Sequence, residues 1–197
     1  MGRPAQISRP AVLAAALEVA DEHGLDAVTM QAVAARLGVT AMALYRHVRS
    51  KDDLLDGLVE ALLTEFPPPD PGLPWRERLA LTATAVRASA GRHPAVFPLL
   101  LRRPAETDQA RRVRDGVLAA LREAGLDDER AARAERLIST AVLGYAASEA
   151  AGRFGHHARE VRDADFAILL DVIGACVDPG GSRSYRGETH DHERDET

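Results

Sequence analysis

The chain has 197 residues, 46% of them hydrophobic, and a formal net charge of −5. That length suits one domain or two small ones with a sizeable core. The acidic balance argues against a protein that coats nucleic acid indiscriminately, but leaves room for a local basic surface.

Aromatic residues make up only 4% of the chain, so Ala, Leu and Val must fill the core, which favours closely packed helices over sheets. Cys176 is the only cysteine. It cannot form a disulfide within the chain, which fits a reducing compartment, and its apolar neighbours predict a buried, structural thiol. The N-terminus lacks the apolar stretch of a signal peptide. No run approaches the roughly 18 apolar residues of a membrane span. A cytoplasmic protein without membrane contact is expected.

In chain order, nearly every segment reads as helix. Residues 8–23 place Val12, Leu13, Ala16, Leu17 and Ala20 at helical spacing, with Pro10 tolerated in the first turn and Gly24 as the stop. Thr29 is a good N-cap for a short helix ending near Leu37, and Gly38 permits the turn after it. Thr40 is expected to cap a second short helix running to about His47. Ser50 caps a longer one, with Asp52 and Asp53 in its first turn, where the helix dipole favours negative charge. Leu54, Leu55, Leu58, Leu62 and Leu63 give that helix its apolar side.

Prolines 67, 68, 69, 71 and 74 then break the pattern. Helices are expected at about 74–91, 94–101, 106–124, 128–152 and 162–177. From Pro179 the tail has no apolar periodicity, and disorder is expected. The chain thus divides into a four-helix unit at 1–66, a five-helix unit within 67–178 and a tail at 179–197. The first unit is too small to be very stable alone, so its fourth helix is expected to lean on the second.

Residues 29–47 form two short helices separated by "GVT", with Val33, Ala34, Leu37, Val39 and Leu44 facing inward. This is the spacing of a helix-turn-helix, whose second helix enters the DNA major groove; other short helical hairpins match the same spacing. The residues that follow are more specific. "LYRHVRSKDDLLDGL" resembles the end of the recognition helix and the start of the fourth helix in the tetracycline-repressor family. The preceding "GLDAVTMQAVAARLGV" and the amphipathic first helix fit the same order of parts, over about residues 10–60. "WRERL" and "RHPAVFPLLLRRP" resemble one C-terminal subtype of that family.

The resemblance implies an all-α protein of about nine helices: a helix-turn-helix DNA-binding unit followed by a ligand-binding and dimerisation domain. Lys51 is the only lysine, beside 24 arginines. At the N-terminus of the fourth helix its ammonium and free backbone N–H groups can share one phosphate, and the matching lysine of the family makes such a contact. A solvated surface lysine is the alternative. Tyr45 and His47 look like the family's backbone-contacting pair; packing roles are the alternative for both. Thr40, Ala41, Met42 and Arg46 sit on the exposed part of the recognition helix. Arg46 could read guanine or hold phosphate, and Ala41 and Met42 could touch a thymine methyl. Thr29 caps its helix and could also approach phosphate. Arg3 and Arg9 could track DNA from the N-terminal arm.

Family resemblance further implies a homodimer that binds a palindromic operator on double-stranded DNA and leaves it when a small molecule, here of unknown identity, fills the second domain. Independent support for a dimer comes from Leu137, Ile138, Ala141, Val142 and Tyr145 on one helix. On the last helix, Phe166, Ile168, Leu169, Leu170, Val172, Ile173 and Val177 make it apolar on more than one side. The same residues could instead close the core of a single chain. Phe66, Trp75, Val86, Phe97, Leu100 and Arg102 lie on helices that enclose the ligand in similar proteins, though ordinary core roles suit them equally.

Tetracycline is not the expected ligand. Its repressors hold a drug–magnesium complex through a histidine at about the place of Pro98, and Glu149 alone makes no metal site. His156-His157 and His190-x-His192 lie in polar segments without a third ligand. No cofactor or metal is expected, and no enzyme motif is present. The alternatives kept open are a DNA-binding regulator without a small-molecule inducer, acting as an activator or under a protein partner, and a helical enzyme or adaptor.

Overall fold

The computed structural model describes residues 7–67, 70–103 and 107–178. Arg3, the tail from 179 and its histidines lie outside these. The described residues form nine α-helices and no strand: α1 (Arg9–His23), α2 (Met30–Leu37), α3 (Ala41–Leu44), α4 (Lys51–Thr64), α5 (Trp75–Arg92), α6 (Leu99–Arg102), α7 (Asp108–Glu123), α8 (Asp128–Ala150) and α9 (Arg159–Val177).

Helix starts follow the local chemistry. The side chains of Ser8, Thr29, Ser50, Thr107 and Asp127 each accept a hydrogen bond from the backbone N–H three residues on, at 2.8–3.3 Å. Thr40 is an exception: it precedes α3 with extended backbone, but its hydroxyl makes no capping bond. Gly38, at φ 66 and ψ 32, ends α2 in the left-handed conformation and aims α3 across it.

Three elements differ from expectation. The second short helix is regular only to Leu44 and continues to His47 as turns. The segment expected as helix at 94–101 is regular only at Leu99–Arg102, because Pro94 and Pro98 lack the N–H that a helix needs. The last helix begins at Arg159, three residues before the expected start.

Helix α1 packs against α2 and α4; α5 and α7 pack against α8; α4 also meets α6 and α7. One apolar core runs through the molecule, from Val12 and Val33 through Leu58 and Leu62 to Val86, Phe97 and Ile173. A smaller cluster joins Leu79, Leu121, Ala131 and Val177. Val and Leu dominate, as the scarcity of aromatics requires.

Polar contacts fix how the two ends meet. His93, just past α5, places Nδ1 2.8 Å from Asp21 on α1 and Nε2 2.8 Å from Glu65 beyond α4. Arg87 on α5 holds Glu149 on α8 at 2.6 Å and Asp163 on α9 at 2.8 Å, with its guanidinium 4.8 Å from the Phe166 ring centre. At the far end of α9, Arg76 pairs with Asp178 at 2.8 Å. The absent side chain of Gly174 leaves the space that the Arg76 guanidinium occupies.

The outer side of α8 and α9 stays uncovered. Leu137 is 72% exposed, and Ile168 and Val172 are more than half exposed. Cys176 corrects an expectation: it is exposed, not buried, because α9 is covered on one side only in a single chain. Five expected dimer-face residues turn inward. Phe166, Val142, Ile173 and Val177 are buried, and Tyr145 stacks beside Phe154 and Phe166 while its hydroxyl donates to the Arg162 carbonyl at 2.8 Å. No helix among the described residues is long and apolar enough to cross a membrane.

Candidate nucleic-acid interface and ligand cavity

The turn from Thr40 to Lys51 is held from behind. Leu44 and Val48 are fully buried beneath it. Arg9 reaches over from α1 to donate to the His47 carbonyl at 2.9 Å and to the Asp53 carboxylate at 2.8 Å. Asp53 also accepts from the backbone N–H of Arg49 at 2.7 Å, while Ser50 caps the Asp53 N–H. The hydrogen bond from Arg9, aided by that from Arg49, holds the Asp53 carboxyl below its ordinary value of 3.8. Arg9 is therefore a clamp on the turn, not an arm free to follow DNA.

Above this support Thr40, Met42, Tyr45, Arg46 and Lys51 are exposed, while Ala41 and His47 are partly so. Met42 is 76% exposed, far more than packing would leave it. Arg46 and Lys51 form no ion pair among the described residues. Thr29 is half-buried and its hydroxyl is occupied in capping α2. Arg36, near the end of α2, does not add to this exposed set: it pairs with Glu18 and Glu22 on α1. The spacing of those two acids, one helical turn apart, is a signal the sequence held.

A second feature lies between α4, α5, α7 and α8: an apolar cavity of about 270 Å³. Three of the six expected pocket residues, Phe66, Val86 and Leu100, line it. Trp75 lines a separate groove of about 210 Å³ between α5 and α9. Phe97 is fully buried in the core, and Arg102 is exposed at the end of α6. The expectation missed α7 and α8, which supply Val113, Val117 and Leu143, and the polar side chains Arg114, Glu135 and Ser139. Val113 and Val117 are four residues apart on one side of α7, a spacing that marks an inward stripe but not whether it faces a cavity or a filled core.

Leu100 on α6 lines the cavity, and three residues later Arg103 grips the start of α4. Its guanidinium meets Asp52 at 2.8 Å and Asp56 at 2.5 Å. The cavity wall is thus joined to the turn that carries Lys51. Among the described residues no group of three His, Cys, Asp or Glu side chains could hold a metal; His156 and His157 stack on each other in an exposed turn.

Comparison with known proteins agrees with this arrangement. Residues 12–58 match the family of bacterial regulatory proteins described as tetR, and residues 68–172 match the tetracyclin repressor-like C-terminal domain. The chain is 32% identical over 159 residues to the HTH-type transcriptional repressor DrrR1 of Streptomyces coeruleorubidus, covering 79% of this chain but only 58% of that protein. Its fold is similar to that of ActR from Streptomyces coelicolor in complex with actinorhodin, with a TM-score of 0.74, 26% identity and coverage of 91% and 100% of the two chains. It is also similar to BioQ bound to its double-stranded DNA operator, with a TM-score of 0.69, 28% identity and coverage of 86% and 99%.

Proposed function

Because the chain belongs to the tetracycline-repressor family of transcriptional regulators, a family of DNA-binding proteins and not of enzymes, we propose that it is a dimeric repressor released from a palindromic operator by a small molecule. The residues Thr40, Ala41, Met42 and Arg46 meet base edges, and Tyr45, His47 and Lys51 hold phosphates. Thr29 contributes through the cap of α2. The exposed side of α8 and α9 joins two copies into a four-helix bundle.

The observation that carries this reading is the connection from Leu100 in the cavity wall through Arg103 to Asp52 and Asp56 beside Lys51. A palindrome requires two recognition helices roughly 34–36 Å apart, or at a related spacing. A ligand that shifts α6 moves α4, and with it the reading head. It acts only to the extent that it binds one arrangement more tightly than the other. That BioQ binds an operator and ActR binds actinorhodin supports both halves of the reading by similarity.

The test has two steps. Selection from a random DNA pool should yield a palindrome. Any compound that releases the protein should then bind more weakly in the presence of operator, by the same factor by which it weakens operator binding. Equal ligand affinity with and without operator would leave a DNA-binding regulator without a small-molecule inducer.

A further inference from the structure

The polar groups of the cavity are unequal. Glu135, on α8, is 14% exposed at the side chain, and its partner Arg114, on α7, is 56% exposed. Their closest approach, Arg114 Nε to Glu135 Oε2, is 3.7 Å, too long for a hydrogen bond. No other hydrogen bond or ion pair engages Glu135 among the described residues. A carboxylate on a largely covered side chain therefore stands in an apolar wall with its acceptor positions open to a ligand.

The remaining polar side chains tilt the cavity the same way. Thr82 donates its hydroxyl to the Arg78 carbonyl at 2.9 Å, and Ser139 donates to the Arg136 carbonyl at 3.2 Å. Both keep only acceptor lone pairs for a ligand. The single donor, Arg114, has most of its side chain in solvent, where an anionic ligand would gain little from it. Glu135 would repel the same anion from inside, where screening is weaker. The cavity is thus acceptor-rich and negative at its less solvated end.

We propose that the cavity takes a lipophilic organic cation, an apolar molecule whose protonated amine is received by Glu135. This rests on the reading of the cavity as the ligand site. The apolar body covers Phe66, Val86, Val113 and Leu143. The ammonium donates to Glu135, and can also donate to the Thr82 and Ser139 oxygens. Arg114 swings into solvent as the ammonium arrives, so the carboxylate exchanges one cation for another and is never left without one. The arrangement selects for charge as well as shape: a neutral molecule of the same outline leaves Glu135 unsatisfied, and an acid meets it as a like charge.

Three probes sharing one ring system separate these possibilities: aminomethyl-anthracene, hydroxymethyl-anthracene and anthracene carboxylate, titrated by fluorescence into the full-length protein. The amine should bind about tenfold or more tighter than the alcohol, the usual scale of a charged hydrogen bond. The carboxylate should bind weakest. Glu135→Gln should remove the amine's advantage while retaining alcohol binding, which also reports a folded cavity. Arg114→Ala should preserve or increase the advantage.

An amine preference that survives Glu135→Gln, a carboxylate that binds best, or no preference among the three overturns the proposal. Operator release is scored separately. An amine that binds through Glu135 without releasing DNA supports the ligand class and counts against the inducer reading.

Discussion

At the scale of single residues, Lys51 and Asp53 stand two positions apart and do opposite work. Lys51 is exposed and makes no ion pair among the described residues. Replacing it with Ala should weaken binding to all DNA sequences alike and lower the salt slope of binding by about one unit, as one lost phosphate contact does. An unchanged slope would take Lys51 out of the interface. Asp53 faces inward and is held ionised by Arg9 and the Arg49 N–H. A carboxyl whose folded value lies below its unfolded one adds stability above the unfolded value. That stability disappears as pH falls through the folded value. Thermal midpoints measured from neutral pH down through about pH 3 should therefore fall less steeply in Asp53→Asn than in wild type. Parallel curves would mean that the Arg9 clamp contributes nothing to acid sensitivity.

At the scale of elements, the joint between α6 and α4 rests on one arginine. Each of its pairs is at least partly exposed, and such pairs contribute little to overall stability. Their geometry matters more, because they tie the cavity wall to the first turn of α4. Arg103→Ala should leave the melting temperature nearly unchanged. Its effect should appear as a smaller ratio between DNA affinities without and with a releasing ligand, a loss of about 0.5–2 kcal/mol of coupling. Full coupling in the variant would show that α4 is moved by another contact, the His93 bridge to Asp21 and Glu65 being the next to examine.

At the scale of the whole molecule, α9 separates two roles that neighbouring residues play. Ile173 is 8% exposed and belongs to the core of one chain, whereas Val172 is 53% exposed on its outer side. Ile173→Asp buries an unpaired charge and should destabilise the fold by about 3–5 kcal/mol. Val172→Arg should leave a folded protein that sediments as a monomer, whereas the wild type should sediment as a dimer. A wild-type chain that stays monomeric, or a Val172→Arg protein that stays dimeric, would remove this face from the assembly.

The helical class, the order of elements and the turn at Gly38 were legible in the chain, because capping, glycine conformation and apolar period act over a few neighbouring residues. So was the exposed set between Thr40 and Lys51, since α3 and the turn after it bury only Leu44 and Val48 and leave their polar residues outside. Periodicity also marked the apolar residues of α8 and α9. It did not separate Val172, which faces outward, from Ile173, which is buried. Nor did it show that Arg36 is paired with Glu18 and Glu22, or that Phe97 is buried while Leu100 lines the cavity. Those distinctions depend on the angle at which one helix crosses another and on which side chains from distant segments arrive to fill the gap. A single segment specifies its own apolar stripe; only the packed set of helices decides whether that stripe meets a neighbour, an empty cavity or the outside of the molecule.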